Sequence, residues 1–169
     1  MKHVKEVSPS ASEVSNTYQV LPEHTNAIGT IFGGTLMAWM DIAAAICAFR
    51  HARCQCVTVS VDQLDFKSPV KQGHLVNIRA RMTFVHVTSM EIRVEAQSED
   101  PFTGERINTC SAYFTFVTQS GKKEKVPAPG LLLKTSEEKE EFEQGRLRRE
   151  QRLKARHEGL SARKSHRKR

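Results

Sequence analysis

The sequence predicts an α+β domain in which one curved antiparallel sheet wraps around a long central helix. A single apolar helical pattern begins at Gly33, and every regular segment after it for about seventy residues reads with period two, so helix and strands are segregated along the chain. Short turns join the strands in a meander, which makes neighbouring strands antiparallel. With 169 residues there is room for one globular domain and an appendage, and two full domains would be crowded.

Residues 1–15 are serine-rich and aperiodic. Asn16 to Leu21 reads as a short first strand ended by Pro22, and His24 to Phe32 as a loop. In the helix, Leu36, Met37, Met40, Ala43, Ala44, Cys47 and Ala48 recur at three and four, forming a wide apolar stripe. Trp39, Ile42, Ala45, Ile46 and Phe49 cover the other face, so the helix is expected to be buried nearly all round. Val57, Val59 and Val61 alternate with polar residues in a strand running to about Phe66, where Lys67-Ser68-Pro69 starts a turn. Val76, Ile78, Ala80, Met82 and Phe84 form one face of the next strand. Met90, Ile92, Val94 and Ala96 oppose Glu91, Arg93, Glu95 and Gln97 in the strand after it. Asp100-Pro101-Phe102-Thr103-Gly104 supplies turn chemistry before a last strand, Glu105 to Thr118.

A Gly121-Lys122-Lys123 turn and a Pro127-Ala128-Pro129-Gly130 linker close the domain, which is expected to span 16–127. Residues 128–169 form a charged, mainly basic tail, partly helical or disordered. In it, Thr135 and Glu138 have capping-box spacing, acidic residues precede basic ones, and a surface helix is expected from about Ser136 to His157. Phe142, Leu147 and Leu153 would anchor a narrow contact, with Arg163 to Arg169 disordered.

The formal charge of +7 is concentrated in that tail: residues 131–169 carry a net +6 and residues 1–130 only +1. A reader of DNA or RNA normally carries its basic footprint on the folded domain, so no nucleic-acid partner is expected. No apolar run approaches the length of a membrane span and no secretory leader is visible, which makes the cytoplasm the expected compartment. Cys47 and Cys110 sit in apolar segments, and Cys54-Gln55-Cys56 has the wrong spacing for a zinc knuckle, so no metal site is expected.

Asp41 is the only charged side chain between Gly33 and Phe49. Placing a lone carboxylate in such a helix costs several kcal/mol (about 3 or more) unless something compensates. It lies about 100° from Met40, at the margin of the stripe, facing a crevice or a subunit interface. Two readings stand there: a structural aspartate bonded to backbone or arginine, and a functional acid. Gly33-Gly34 at the helix start allows close approach to the backbone, and free N–H groups there favour a developing negative charge, although a tight turn explains the pair equally well. The glycines and Asp41 are separated by about 10 Å along the axis, so one substrate reaches both only with help, as from a second subunit. His24 and His51 are the nearest histidines, and either is a candidate assistant or an ordinary surface residue. The signatures of serine hydrolases, nucleotide hydrolases and zinc peptidases are absent.

Together, His24-Thr25-Asn26, Gly29-Thr30-Ile31-Phe32-Gly33-Gly34, Met40-Asp41 with its following alanines, Val57-Thr58-Val59, Asp65-Phe66 and Thr88-Ser89-Met90-Glu91 resemble the acyl-CoA thioesterase branch of the hotdog-fold superfamily. The resemblance runs from about Tyr18 to Val117 and agrees with the helix-in-sheet reading. It implies hydrolysis of an acyl-CoA thioester to a free acid and CoA in a site built between two subunits. Asp41 would be the general base or nucleophile, Asn26 from the facing subunit would position water or the thioester, and the amides of Gly33 and Gly34 would hold the carbonyl. The resemblance also points to CoA contacts near Ser89, and hydroxyl, amide and cationic groups suit phosphate, which makes Phe66, Lys67, Thr88, Ser89 and Met90 the candidate CoA-binding residues. No cofactor is implied beyond CoA itself as part of substrate or product. The expected assembly is a homo-oligomer with a dimer as its minimal unit, and the family suggests a hexameric trimer of dimers. Competing readings are a non-catalytic acyl-CoA-binding regulatory module in the same groove, and a hotdog hydratase or dehydratase, which would need a different acid/base pairing, usually with a histidine.

Overall fold

Apolar alternation and turn chemistry assemble the chain in the expected order. The computed structural model describes residues 6–119 and 126–166, with side chains placed at all of these except 157 and 159–166. A short helical turn, α1 (Pro9–Ser12), leads into β1 (Val14–Gln19), a 3-10 turn (Pro22–His24) and the long helix α2 (Gly33–Ala52). The strands β2 (Gln55–Phe66), β3 (Leu75–His86), β4 (Ser89–Glu99) and β5 (Arg106–Gln119) follow, and α3 (Ser136–His166) ends the described chain. The five strands form one sheet in the order β1-β3-β4-β5-β2, every neighbouring pair antiparallel. The Gly121-Lys122-Lys123 turn lies outside the described residues, as do residues 167–169.

Leu36, Met40, Ala43, Ala44, Cys47 and Ala48 of α2 pack on one face of the sheet, against Val76, Ile78, Met82, Met90, Ile92, Phe114 and Phe116, all of them buried. Small residues on the helix bring its axis close to the sheet, and the bulky ones on the strands fill the space between. The helix ends at Arg53, which adopts the left-handed conformation (φ 54°) and donates its N–H to the carbonyl of Phe49 at 2.9 Å.

Two expectations need correction. The first is that α2 is not buried all round: Ile42 is 50% and Phe49 45% exposed. Both lie on the side of α2 away from its buried stripe, and the sheet's β2 edge has no neighbouring strand among the described residues. In β2 itself the valines do not mark a continuous inner face. Thr58 pairs with the buried Phe116, whereas Val57 and Val59 are exposed, and an irregularity between Thr58 and Ser60 reverses the faces so that Val61 pairs with Phe114.

The second correction concerns the tail. Helix α3 reaches His166 rather than His157, and it lies across the outer face of the sheet instead of touching it narrowly. Phe142 packs on Phe84 with ring centroids 4.8 Å apart. Glu138 pairs with Arg81 and Glu141 with Arg93, both at 2.7 Å, while Arg148 and Arg152 reach Glu91 at 2.8 and 2.9 Å. The polar outer faces of β3 and β4 are therefore roofed by a helix of complementary charge. Thr135 and Glu138 do form the expected capping box, the Glu138 N–H donating to Thr135 Oγ1 (3.2 Å) and the Thr135 N–H to Glu138 Oε2 (3.2 Å).

Candidate active site

Asp41 projects from α2 towards β2, where Thr58 Oγ1 donates a 2.8 Å hydrogen bond to its Oδ1. The carboxylate is half-buried at the margin of the apolar stripe, where the sequence placed it, with one oxygen held and the other available. Thr58 is the functional candidate that the sequence reading overlooked. Its only signal is position: it is the polar residue on the side of β2 that faces Asp41, and threonine is too common in strands to stand out.

Asn26 organises a tight loop. Its Oδ1 accepts the N–H groups of Ile28 and Thr30 at 3.1 and 3.2 Å, its Nδ2 lies 3.0 Å from Thr30 Oγ1, and its own N–H donates to the Thr30 carbonyl at 2.8 Å. The chain turns back through Gly29 (φ 76°), a conformation that favours glycine. No hydrogen bond joins Asn26 to Asp41 among the described residues. The loop leads directly into Gly33 and Gly34, whose N–H groups open α2 behind Phe32, an N-cap residue without a capping side chain. Thr35 and Leu36 are the first to donate back, both to the Phe32 carbonyl, and the amides of Gly33 and Gly34 have no backbone acceptor among the described residues.

Both glycines are closely approached. A Cβ on Gly33 would lie 3.4 Å from the ring of Phe66, and one on Gly34 would lie 2.5 Å from the ring of Phe32. Beside them opens a cleft of about 330 Å³ lined by Ile31, Gly33, Leu36, Phe66, Lys67 and Thr109, among others. Phe66 and Lys67 thus stand next to the candidate oxyanion donors.

Thr88, Ser89 and Met90 do not join them within one chain. Phe66 pairs with Cys110 and Cys110 with Ala96, whereas Ser89 pairs with Val117, seven positions away along β4. At about 3.3 Å per residue that is roughly 23 Å. Ser89 Oγ donates to the His86 carbonyl at 3.1 Å, on a hairpin whose Val87 has φ 49°. The side chain of Met90 is fully buried in the core. Two histidines hold backbone: His24 Nδ1 accepts the Leu21 N–H at 3.1 Å and its ring stands edge-on to Trp39, while His51 Nε2–H donates to the Pro129 carbonyl at 2.9 Å. Burial lowers the His51 pKa below the ordinary histidine value. Desolvation pushes the thiols of Cys47 and Cys56 up to about 12. None of the described helices is long and apolar enough to cross a membrane.

The family model for the thioesterase superfamily matches residues 28–104. The Bacillus subtilis uncharacterized acyl-CoA thioester hydrolase YkhA is 39% identical over 127 residues, covering 75% of this chain and 74% of that protein. The rat acetyl-coenzyme A thioesterase is 36% identical over 148 residues, 88% of this chain but 27% of the relative. The chain thus spans about a quarter of the length of the rat and mouse enzymes that it matches. Among solved structures, the Bacillus cereus acyl-CoA hydrolase superimposes with a TM-score of 0.87 at 35% identity, covering 94% of this chain and 96% of the other. The Staphylococcus aureus acyl-CoA hydrolase with butyryl-CoA, CoA and CoA disulfide gives 0.85 at 34% identity, covering 93% and 96%. Alanine variants of that S. aureus enzyme have been solved at an asparagine, an aspartate and a threonine, spaced by 15 and 17 residues. The same spacings separate Asn26, Asp41 and Thr58. An acyl-CoA thioesterase solved as a hexamer superimposes with a TM-score of 0.86 at 36% identity, covering 90% and 97%.

Proposed function

We propose a function for this chain, which belongs to the acyl-CoA thioester hydrolases of the thioesterase superfamily: it cleaves the thioester of an acyl-CoA with water, releasing a carboxylic acid and CoA. The observation that carries this reading is the Asp41 carboxylate, anchored by Thr58 on an otherwise apolar helix face and spaced from Asn26 as in the related hydrolase. Binding alone has no need of an anion beside a thioester, which argues against a non-catalytic module. A hydratase or dehydratase would need a histidine poised on the acyl chain, and His24 and His51 are engaged in holding backbone.

Asp41 acts as base towards water or as nucleophile on the thioester carbon, and either role needs its ionised form. Attack at the carbonyl carbon places negative charge on its oxygen, which the amides of Gly33 and Gly34 receive. Loss of one preorganised donor of this kind costs about 3 kcal/mol of transition-state stabilisation. The C–S bond then breaks and CoA leaves as a thiolate, a good leaving group; on the base route the proton that Asp41 took from water is returned to the thiolate or to solvent, and on the nucleophile route water then cleaves the acyl–Asp41 anhydride to the free acid, so neither route calls for a metal or a further cofactor.

From Gly34 to Asp41 along α2 is about 10 Å, too far for both to act on one carbonyl from the same helix. The site is therefore completed by a second copy: one chain supplies Asn26, Gly33, Gly34 and the Phe66–Lys67 cleft, and the other supplies Asp41 with Thr58. The exposed apolar side chains Ile42, Phe49, Val57, Val59 and Val61 on α2 and edge strand β2 offer the surface for that pairing. The dimer is the minimal unit, and the hexameric neighbour supports a trimer of dimers. On this reading Thr88 and Ser89, remote from Lys67 within one chain, meet the same CoA only if different copies supply them. The four cysteines are free and three of them, Cys47, Cys56 and Cys110, are buried, which suits a cytoplasmic setting.

The test is release of free thiol from acetyl-, butyryl- and palmitoyl-CoA by the wild-type chain and by Asp41→Asn. The wild type should turn over at least one of them. The Asn variant should keep its fold and lose most of kcat, because a neutral isostere relieves desolvation while removing the anion. Near-normal turnover by Asp41→Asn would move catalysis elsewhere.

A further inference from the structure

We propose that Arg152, in the tail helix, is a positioning residue for the hydrolysis: acting through Asp62, it fixes the edge strand that presents Thr58 to Asp41 and Phe66 to Gly33. The proposal rests on the hydrolase reading above. Strand β2 carries both of those site residues, and its one partner among the described residues is β5. Its register with β5 breaks twice, between Thr58 and Ser60 and between Asp62 and Asp65, and Gln63 adopts a left-handed φ of 52°. Strands with breaks of this kind deform more easily, because each break removes a ladder hydrogen bond.

Between the two breaks stands Asp62, on the outer face. Its Oδ1 accepts Ser60 Oγ at 3.0 Å and its Oδ2 accepts Arg152 Nη1 at 2.9 Å. The same Nη1 donates to Oε2 of Glu91 at 2.9 Å, in the central strand β4. Glu91 is 1% exposed and is held in turn by Thr83 Oγ1 at 2.9 Å and by Arg148 Nη2 at 2.8 Å. The Arg148 guanidinium lies 3.8 Å over the ring of Tyr113. Two carboxylates and two guanidiniums thus form a neutral, largely desolvated cluster, in which charge-assisted hydrogen bonds are short and directional. A contact that served only to hold α3 would need Glu91 alone. By joining Asp62 to Glu91, Arg152 ties the irregular edge to the rigid middle of the sheet, within four residues of Thr58 on one side and of Phe66 on the other.

A displacement of a reacting group by about 1 Å costs up to about a hundredfold in rate, so loosening β2 should appear in kcat. The experiment measures kcat and KM for thiol release from the best of the three acyl-CoA substrates, per folded protomer and well below the melting temperature. Arg152→Ala should lower kcat about tenfold or more with KM within about twofold, and Arg152→Lys should recover part of the loss. Asp62→Asn, which leaves α3 docked on Glu91, should lower kcat in the same way and supplies the test if Arg152→Ala fails to fold, while Asp62→Glu should recover activity. Because Arg152 acts through Thr58, adding Arg152→Ala to Thr58→Ala should cost less than the product of the single losses. Arg146→Ala, which removes only exposed pairs with Glu143 and Glu150 on the same helix, should leave kcat unchanged. Folded Arg152→Ala and Asp62→Asn variants with wild-type kcat and a lowered melting temperature would overturn the proposal and make the cluster purely structural. A wild-type chain that releases no CoA would overturn the hydrolase reading and this proposal with it, a result distinguishable from failure of the proposal alone.

Discussion

At the scale of single residues, most polar groups in the interior of the molecule meet a partner that receives them. The Asp41 carboxylate is held by one hydroxyl, and Glu91 by a hydroxyl and two guanidiniums. Three side chains among the described residues depart from this: Thr115 Oγ1 and Glu141 Oε2 are buried without a partner, and so is Nδ1 of His51, whose Nε2–H is used on Pro129. Burial holds the folded pKa of His51 below the ordinary 6.5, so the fold keeps it neutral while the unfolded chain takes up a proton. Its contribution to stability is therefore complete above about pH 6.5 and declines as pH falls below that value. Thermal melts from pH 7.5 to pH 5 should show this loss, and His51→Gln, which can still donate to Pro129, should flatten the slope; an unchanged slope would assign the pH dependence to other groups. Asp41 was legible in the sequence because nothing else charged occupies its helix. Thr58 was not, since its role comes from a strand register that one-dimensional alternation misassigns across a bulge.

At the scale of elements, the sheet and its helix were readable because each buries one regular apolar stripe. Helix α3 escaped for the converse reason. Arg81, Glu91 and Arg93 on the strands, and Glu138, Glu141 and Arg148 on the helix, each read as solvent-facing, and only their mutual pairing removes them from water. Gly145 marks the closest approach of the two layers, since a Cβ there would sit 2.5 Å from Cβ of Phe84 and 2.9 Å from Oε1 of Glu91. In an exposed helix, Gly→Ala would stabilise by about 1 kcal/mol. Here the steric term is expected to win because its neighbours are a rigid Cβ and a fully bonded carboxylate, so Gly145→Ala should lower the urea midpoint of unfolding. A raised midpoint would show that α3 is held loosely and would weaken its role in fixing β2.

At the scale of the whole molecule, the account turns on surfaces that a single chain leaves uncovered. The apolar residues on the second face of α2 read as core, and half of that inference survives: Trp39 and Ile46 are partly buried, whereas Ile42 and Phe49 point to where a second copy would lie. The candidate site is divided in the same sense, with Asn26, Gly33, Gly34 and Phe66 in one group and Asp41 with Thr58 in another. In the proposed dimer the two groups are joined by symmetry, so a reading of one chain does not supply the junction. The most direct test mixes Asn26→Ala and Asp41→Asn chains, each inactive alone, by co-expression or joint refolding, and follows thiol release. If each site draws Asp41 from one copy and Asn26 from the other, half of the random pairs carry one intact site of two, and the mixture should recover about a quarter of wild-type activity. A mixture that stays as inactive as its components, although mixed oligomers are shown to form, would contradict a site shared between copies.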